Sequence, residues 1–162
     1  MVHERRTVGL SGAGSAQRYL GTTWEVGEEQ LAAWLLAGQA GVSGCTARVL
    51  VSHTPRWGLV DAAWNGNPGG SRAGRQFVDA ARPDLVLCGH IHEARGVVGH
   101  GPTTVVNCGP GHRGSFAAIT LAFTGGGDLV RVNLHWAFSP DAHRFPRAPG
   151  EPGAPNAAFP WV

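Results

Sequence analysis

Three histidines stand where chemistry could be done. His90 and His92 lie one residue apart in "DLVLCGHIHEARG", residues 84–96, directly after the apolar run Leu85, Val86, Leu87 and Cys88. His53 follows a second apolar run, Val49, Leu50 and Val51, in "ARVLVSHTP". Loops at the carboxyl ends of strands in α/β sheets are where sites gather. If the two strands are neighbours, the three imidazoles converge. Neutral imidazole is the commonest metal ligand and suits zinc, iron, manganese and related ions. Gly89 carries no Cβ, so a tight turn there lets both following histidines point the same way. A single histidine at a strand end reads more plainly as a loop residue. It is the Gly-His-x-His pair taken together with "SHTP" that sets the metal reading against that one.

The elements that must position these side chains are legible in outline. The short continuous apolar runs predict strands buried on both faces. "EVGEEQLAAWLLAG" predicts a helix: Glu28 and Glu29 fall in its first turn, where the helix dipole favours acids. Leu31, Trp34 and Leu35 form its inner face, and Gly38 is its expected stop. Ser71 is placed to N-cap a second helix running to about Arg82, with Phe77, Val78 and Ala81 on one face and Pro83 ending it. Residues 56–70 between "SHTP" and that helix are turn formers and read as a loop. Upstream, residues 1–24 allow at most one weak strand around Val8 and Leu10.

After the paired histidines come "ARGVVGHG", "TTVVNCG", "SFAAITLAF" and "DLVRVNLHW", predicted as consecutive strands of an antiparallel or mixed sheet, with "GGGD" at 125–128 as a hairpin connection. The order suits an α/β layered sandwich, helices outside and sheets inside. Residues 1–137 are read as one domain portion. Residues 138–162 are Pro-rich, lack periodicity and are expected to be a disordered tail.

Bulk composition closes off other classes. The chain has 162 residues, enough for one domain with a core, and a net charge of +2. Its 13 basic residues are all Arg and are scattered, so no nucleic-acid surface is read. No run approaches the roughly 18–20 apolar residues of a membrane span, and no signal-peptide core is evident. Cys45, Cys88 and Cys108 make an odd number without framework spacing, which suits free thiols in a reducing, cytoplasmic setting.

From Val49 to Leu121 the chain resembles the C-terminal half of the calcineurin-like metallophosphoesterases. The resemblance rests on "VSHTP", "GHIH" with its preceding apolar strand, and "VVN-x-G", in that order and spacing. "GTTWE" with the helix after it is similar to the segment preceding "SHTP" in small prokaryotic members. The resemblance implies a four-layer αββα sandwich. It also implies two divalent ions (Mn, Fe or Zn) that share a hydroxide, which attacks phosphorus in line while the ions neutralise the phosphoryl oxygens. Carried over residue by residue, His53 and His90 would bind one ion, His92 the other, and Asn107 would brace the site through hydrogen bonds. The substrate would be a phosphomonoester or phosphodiester, with no substrate-binding residue identifiable.

The same resemblance exposes a gap. The family's Asp-x-His, Gly-Asp-x-x-Asp and Gly-Asn-His motifs, the last with its catalytic histidine, find no counterpart in the 52 residues before His53. Asp141 to His143 has the Asp-x-His pattern but lies in the Pro-rich tail. The chain is therefore expected to be the C-terminal portion, with the N-terminal βαβ half missing, apolar surface exposed and no turnover by itself. The alternative is a non-catalytic scaffold of the same fold. Cys88 and Cys108 leave a Cys/His zinc site open, though Cys88 at a strand end reads better as a packed small hydrophobe. Glu93 reads as a structural partner and His100 and His112 as loop residues, while surface roles are favoured for Arg56, Trp57 and Arg95 over contact with substrate.

Overall fold

The computed structural model describes residues 8–13, 26–111, 115–124 and 129–137. In chain order the elements are β1 (Val8–Ala13), α1 (Glu28–Val42), β2 (Ala47–Ser52), α2 (Arg72–Ala81), β3 (Leu85–Cys88), a 3-10 turn (His92–Ala94), β4 (Gly96–His100), β5 (Thr103–Asn107), β6 (Phe116–Phe123) and β7 (Leu129–Ala137). The Pro-rich stretch 138–162, with Asp141 and His143, lies outside the described residues, as do His112 and the expected hairpin turn at 125–128.

The two strands that end in histidine are neighbours. β2 and β3 run parallel, with Val49 opposite Leu85 and Val51 opposite Leu87. β1 pairs parallel outside β2, β5 pairs parallel with β3, and β4 closes the edge antiparallel to β5, giving the order β1-β2-β3-β5-β4. β6 and β7 form a separate antiparallel pair.

Alternation along the strands divides two cores. On one face Leu50, Val86, Cys88 and Val105 pack with Leu31 and Leu35 of α1, Phe77 and Val78 of α2, and Leu59. On the other, Val49, Leu85 and Val106 pack with Leu87, Val97, Cys108 and the β6 residues Ala117, Ile119 and Leu121. Each large apolar side chain taken out of water contributes about 1.5–3 kcal/mol. The result is a partial α/β sandwich of helices, five-stranded sheet and two-stranded sheet. The second helical layer of a four-layer sandwich is not among the described residues.

α2 starts and stops as its residues predict. The Gly74 N–H donates to Ser71 Oγ at 2.9 Å, and Arg82 closes the helix in the left-handed region at φ 46°. α1 differs from expectation. It runs through Gly38 to Val42, because no left-handed residue is required there and the buried Val42 offsets the cost of a helical glycine, about 1 kcal/mol. Trp34 is 42 % exposed, and Leu31, Leu35 and Val42 form the inner stripe without it. Val51 is also 39 % exposed, so β2 is not buried on both faces along its whole length.

Glu28 acts at a different helix from the one its position suggested. Its carboxylate accepts from Ser71 Oγ at 2.7 Å and from the Ala73 N–H at 2.8 Å, so an acid in the first turn of α1 caps the start of α2. Among the described residues no helix is long and apolar enough to cross a membrane.

Candidate metal site at the strand ends

The β2–β3 ladder continues past the strands, with the Gly89 N–H donating to the His53 carbonyl at 3.0 Å. That bond sets the two histidine-bearing ends side by side. Nδ1 of His90 then stands 3.0 Å from Nε2 of His53, with the rings edge to face at 65° and centroids 4.8 Å apart. His53 is exposed and His90 half-buried, so the pair opens to solvent at the carboxyl edge of the sheet.

Gly89 does not carry the turn. A Cβ built on it meets nothing within 4 Å, and it is not among the residues with positive φ. His90 itself adopts φ 66°, because the Ile91 N–H closes back on the Gly89 carbonyl at 2.8 Å and His90 is the central residue of that three-residue turn. A non-glycine residue held there stores about 1–3 kcal/mol of strain, a cost that concentrates at functional sites.

His92 opens the 3-10 turn and is exposed. Among the described residues no three His, Cys, Asp or Glu side chains gather closely enough to hold a metal ion. The convergence of imidazoles at this edge is therefore the His53–His90 pair.

Asn107, fully buried at the end of β5, ties the surrounding backbone together. Its Nδ2 donates to the carbonyl of Ile91 at 2.9 Å and to that of Val60 at 3.0 Å. Its Oδ1 accepts from the Gly109 N–H at 3.0 Å. One side chain thus holds the residue between the two histidines, the loop after "SHTP" and the turn after β5.

That loop is held at several points. Asp61, buried, accepts from the N–H groups of Gly58 and Gly70 at 3.0 and 2.9 Å. Glu93 accepts from the Trp64 N–H at 2.8 Å, the structural partnership its sequence position suggested. The role of Asp61 was not read from the sequence, although an aspartate among turn glycines is the residue type that bonds nearby backbone N–H groups.

Cys88 is a packed thiol, its Sγ 3.4 Å from the Val106 carbonyl, and burial pushes its dissociation up to about 12. Burial raises that of Cys108 as well. The surface role expected for Arg56 is overturned, since Arg56 is fully buried between the strand end and α2. Trp57 is half-buried beneath the Arg72 guanidinium, 4.1 Å from its ring centre. Arg95 is half-buried over the turn at Gly109, where a Cβ would fall 2.7 Å from its Cδ. His100 ends β4 and pairs with Asp79 of α2, away from the other histidines.

Two imidazole nitrogens on one tetrahedral zinc at about 2.0–2.1 Å stand roughly 3.3 Å apart. The His53–His90 nitrogens, 3.0 Å apart, stand close to that spacing but in contact with each other as a hydrogen-bonded pair. Neither a bridging carboxylate nor a third ligand side chain joins it among the described residues.

Fold and site together define a mixed α/β chain with paired imidazoles at the carboxyl ends of adjacent parallel strands. One crystal structure shares this fold, with TM-score 0.55 and 19 % identity over 72 % of this chain and 46 % of that one. Two others align less closely. TT1561 of Thermus thermophilus has TM-score 0.48 and 17 % identity over 68 % of this chain and 47 % of its own. GAP50, described as the anchor in the inner membrane complex of Plasmodium, has TM-score 0.41 and 13 % identity over 67 % and 34 %. The chain thus spans less than half the length of the solved structures it matches. No family model matches it, and no curated protein matches it in sequence.

Proposed function

We propose that this chain carries the imidazole side of a metal-dependent phosphoesterase site, as the C-terminal portion of a metallophosphoesterase domain acting on phosphomonoesters or phosphodiesters. The observation that carries the reading is the His53–His90 pair, two nitrogens 3.0 Å apart at adjacent strand ends, where "SHTP" and "GHIH" call for them. The α/β fold shared with a solved structure and the strained turn at His90 support it.

In this reading His53 and His90 hold one divalent ion and His92 belongs to a second. Asn107 braces them by fixing the Ile91 carbonyl. A divalent ion there supplies Lewis-acid polarisation of a phosphoryl oxygen. In this reading the bridging carboxylates belong to acidic motifs that "SHTP", "GHIH" and "VVN-x-G" do not include, and negligible turnover is expected of the 162-residue chain alone. The substrate's identity would be set by loops such as 56–70, which Asp61 and Glu93 hold in place.

A non-catalytic scaffold of the same fold is the second reading. It draws on the lack of a three-ligand group among the described residues and on the exposed apolar Phe116 of β6. Zinc or manganese titration of the purified chain by calorimetry, with hydrolysis of bis-p-nitrophenyl phosphate followed in parallel, separates the two. Weak binding of one ion that disappears in His53→Ala and His90→Ala supports the phosphoesterase reading. Binding unchanged by both substitutions, or none at all, favours the scaffold. Robust hydrolysis by the chain alone would show that the missing acidic motifs are dispensable.

A further inference from the structure

Arg56 is the largest side chain in the described structure with no solvent exposure. Burying an ion costs several kcal/mol even after relaxation. Burial lowers the dissociation of this guanidinium to about 10. A cation kept in such a place makes contacts that an apolar side chain could not.

Those contacts lie on either side of His53. Nη1 donates to Ser52 Oγ at 3.1 Å and to the Thr54 carbonyl at 2.9 Å. Ser52 Oγ in turn donates to the Thr54 carbonyl at 3.1 Å, closing a small ring of hydrogen bonds around the backbone that bears the imidazole. Ser52 and Thr54 are both buried, so this ring is shielded from competing water.

The other side of Arg56 is clamped. A Cβ on Gly74, in the first turn of α2, would fall 2.6 Å from Arg56 Cδ and 2.7 Å from Nη1. A Cβ on Gly70 would fall 2.5 Å from the Arg56 carbonyl carbon. The flanking backbone is bonded to the N-cap residue, with the Ser71 N–H donating to the Pro55 carbonyl at 2.9 Å and the Trp57 N–H to the Ser71 carbonyl at 3.0 Å. The start of a helix repels a cation. The Glu28 carboxylate that caps α2 adds an attraction that opposes, without cancelling, the cost of burial.

We propose that Arg56 is the positioning residue of the histidine pair: its Nη1 ties the Ser52 hydroxyl before His53 to the Thr54 carbonyl after it and so holds Nε2 within 3.0 Å of Nδ1 of His90. It is not a substrate contact, because no part of it reaches solvent. The proposal rests on the phosphoesterase reading for the use of the pair, but the positioning itself is a property of the metal-free chain.

The test is a direct NMR measurement of the N–H···N scalar coupling between the two imidazoles in the metal-free, 15N-labelled full chain, above the imidazole titration range. Zinc calorimetry is run beside it. Arg56→Met is expected to keep its circular dichroism but lose the coupling, with zinc affinity at least tenfold weaker. Arg56→Lys restores part of both, and Arg82→Gln on the exposed end of α2 changes neither. A folded Arg56→Met that keeps the coupling overturns the proposal, as does a wild-type chain without it. If Arg56→Met does not fold, Ser52→Ala decides, because it removes one of the two acceptors without opening a large cavity. Loss of coupling there supports the proposal and intact coupling overturns it. Coupling that responds as expected in a chain that binds no zinc sinks only the metal reading.

Discussion

Nδ1 of His90 and Nε2 of His53 face each other at 3.0 Å across the ends of two adjacent parallel strands, and they reach that position by different routes. His53 continues the line of β2, its neighbours held by a buried arginine. His90 is thrown toward it by a turn that forces φ to 66°. The pair is therefore maintained against local backbone preference on one side and against a desolvation cost on the other.

The strain at His90 predicts a separation of stability from binding. Glycine at position 90 would relieve a left-handed penalty of about 1–2 kcal/mol. It would forfeit a hydrogen bond of about 0.5–1.5 kcal/mol. Urea denaturation of His90→Gly is expected to lie within about 1 kcal/mol of wild type, while zinc binding is lost. A destabilisation above about 2 kcal/mol would instead make His90 a packing residue. Gly89→Ala, with nothing within 4 Å of its new methyl, should leave stability unchanged.

Asn107 should be costly to replace. Alanine would leave the carbonyls of Val60 and Ile91 and the N–H of Gly109 without the partner they have now. At about 1–3 kcal/mol for a buried group left unsatisfied, with partial rescue by water, the expected loss is about 2–4 kcal/mol by urea denaturation. A loss below about 1 kcal/mol would mean these three backbone groups find other partners.

Cys88 should be chemically silent. The thiolate is the reactive species, and burial holds this thiol's dissociation at about 12. In a disulfide-exchange assay at mildly alkaline pH, Cys88 is expected to react only on unfolding. Labelling of Cys88 in the native chain, located by mass spectrometry, would show that β3 opens well below the global unfolding limit.

Asp79 links pH to stability from the acid side. The hydrogen bond from His100, followed by that from Arg75, holds its carboxyl below the usual aspartate value. A depressed carboxyl stabilises the fold above its unfolded-state value, and that contribution is lost as pH falls through the folded-state value. Asp79→Asn is therefore expected to flatten part of the acid limb of a stability–pH curve. Because Asp79 is largely exposed, the effect is small and shrinks in salt. Identical acid limbs for variant and wild type would remove any role for this pair.

The strand–helix–strand order from β2 to β3 was legible because apolar runs, an N-cap serine and a terminating proline act through local chemistry. The adjacency that brings His53 and His90 together stayed conditional in the sequence: two short apolar runs joined through a helix suit parallel pairing, and the pairing of β2 with β3 is what brings the ring nitrogens to 3.0 Å. Arg56 was misread because arginine is almost never fully buried unless paired, and its partners are a buried hydroxyl and a carbonyl that only folding brings into reach. Gly38 was misread as a stop because burial of Val42, a tertiary effect, carries α1 past it.

The sequence by itself determined which residue types stand at the strand ends, because the apolar runs and the motif order are written in one dimension. The tertiary structure alone decided that two of the three imidazoles meet. It also decided that the turn's strain falls on His90 and not on Gly89, that Glu28 of α1 caps α2, and that an arginine lies beneath the pair. The histidine pair and the Glu28 cap depend on groups some 37 to 45 positions apart arriving within about 3 Å of one another, and the turn at His90 and the burial of Arg56 depend on packing around short-range contacts. Composition and periodicity carry no distances between elements, so packing had to supply them.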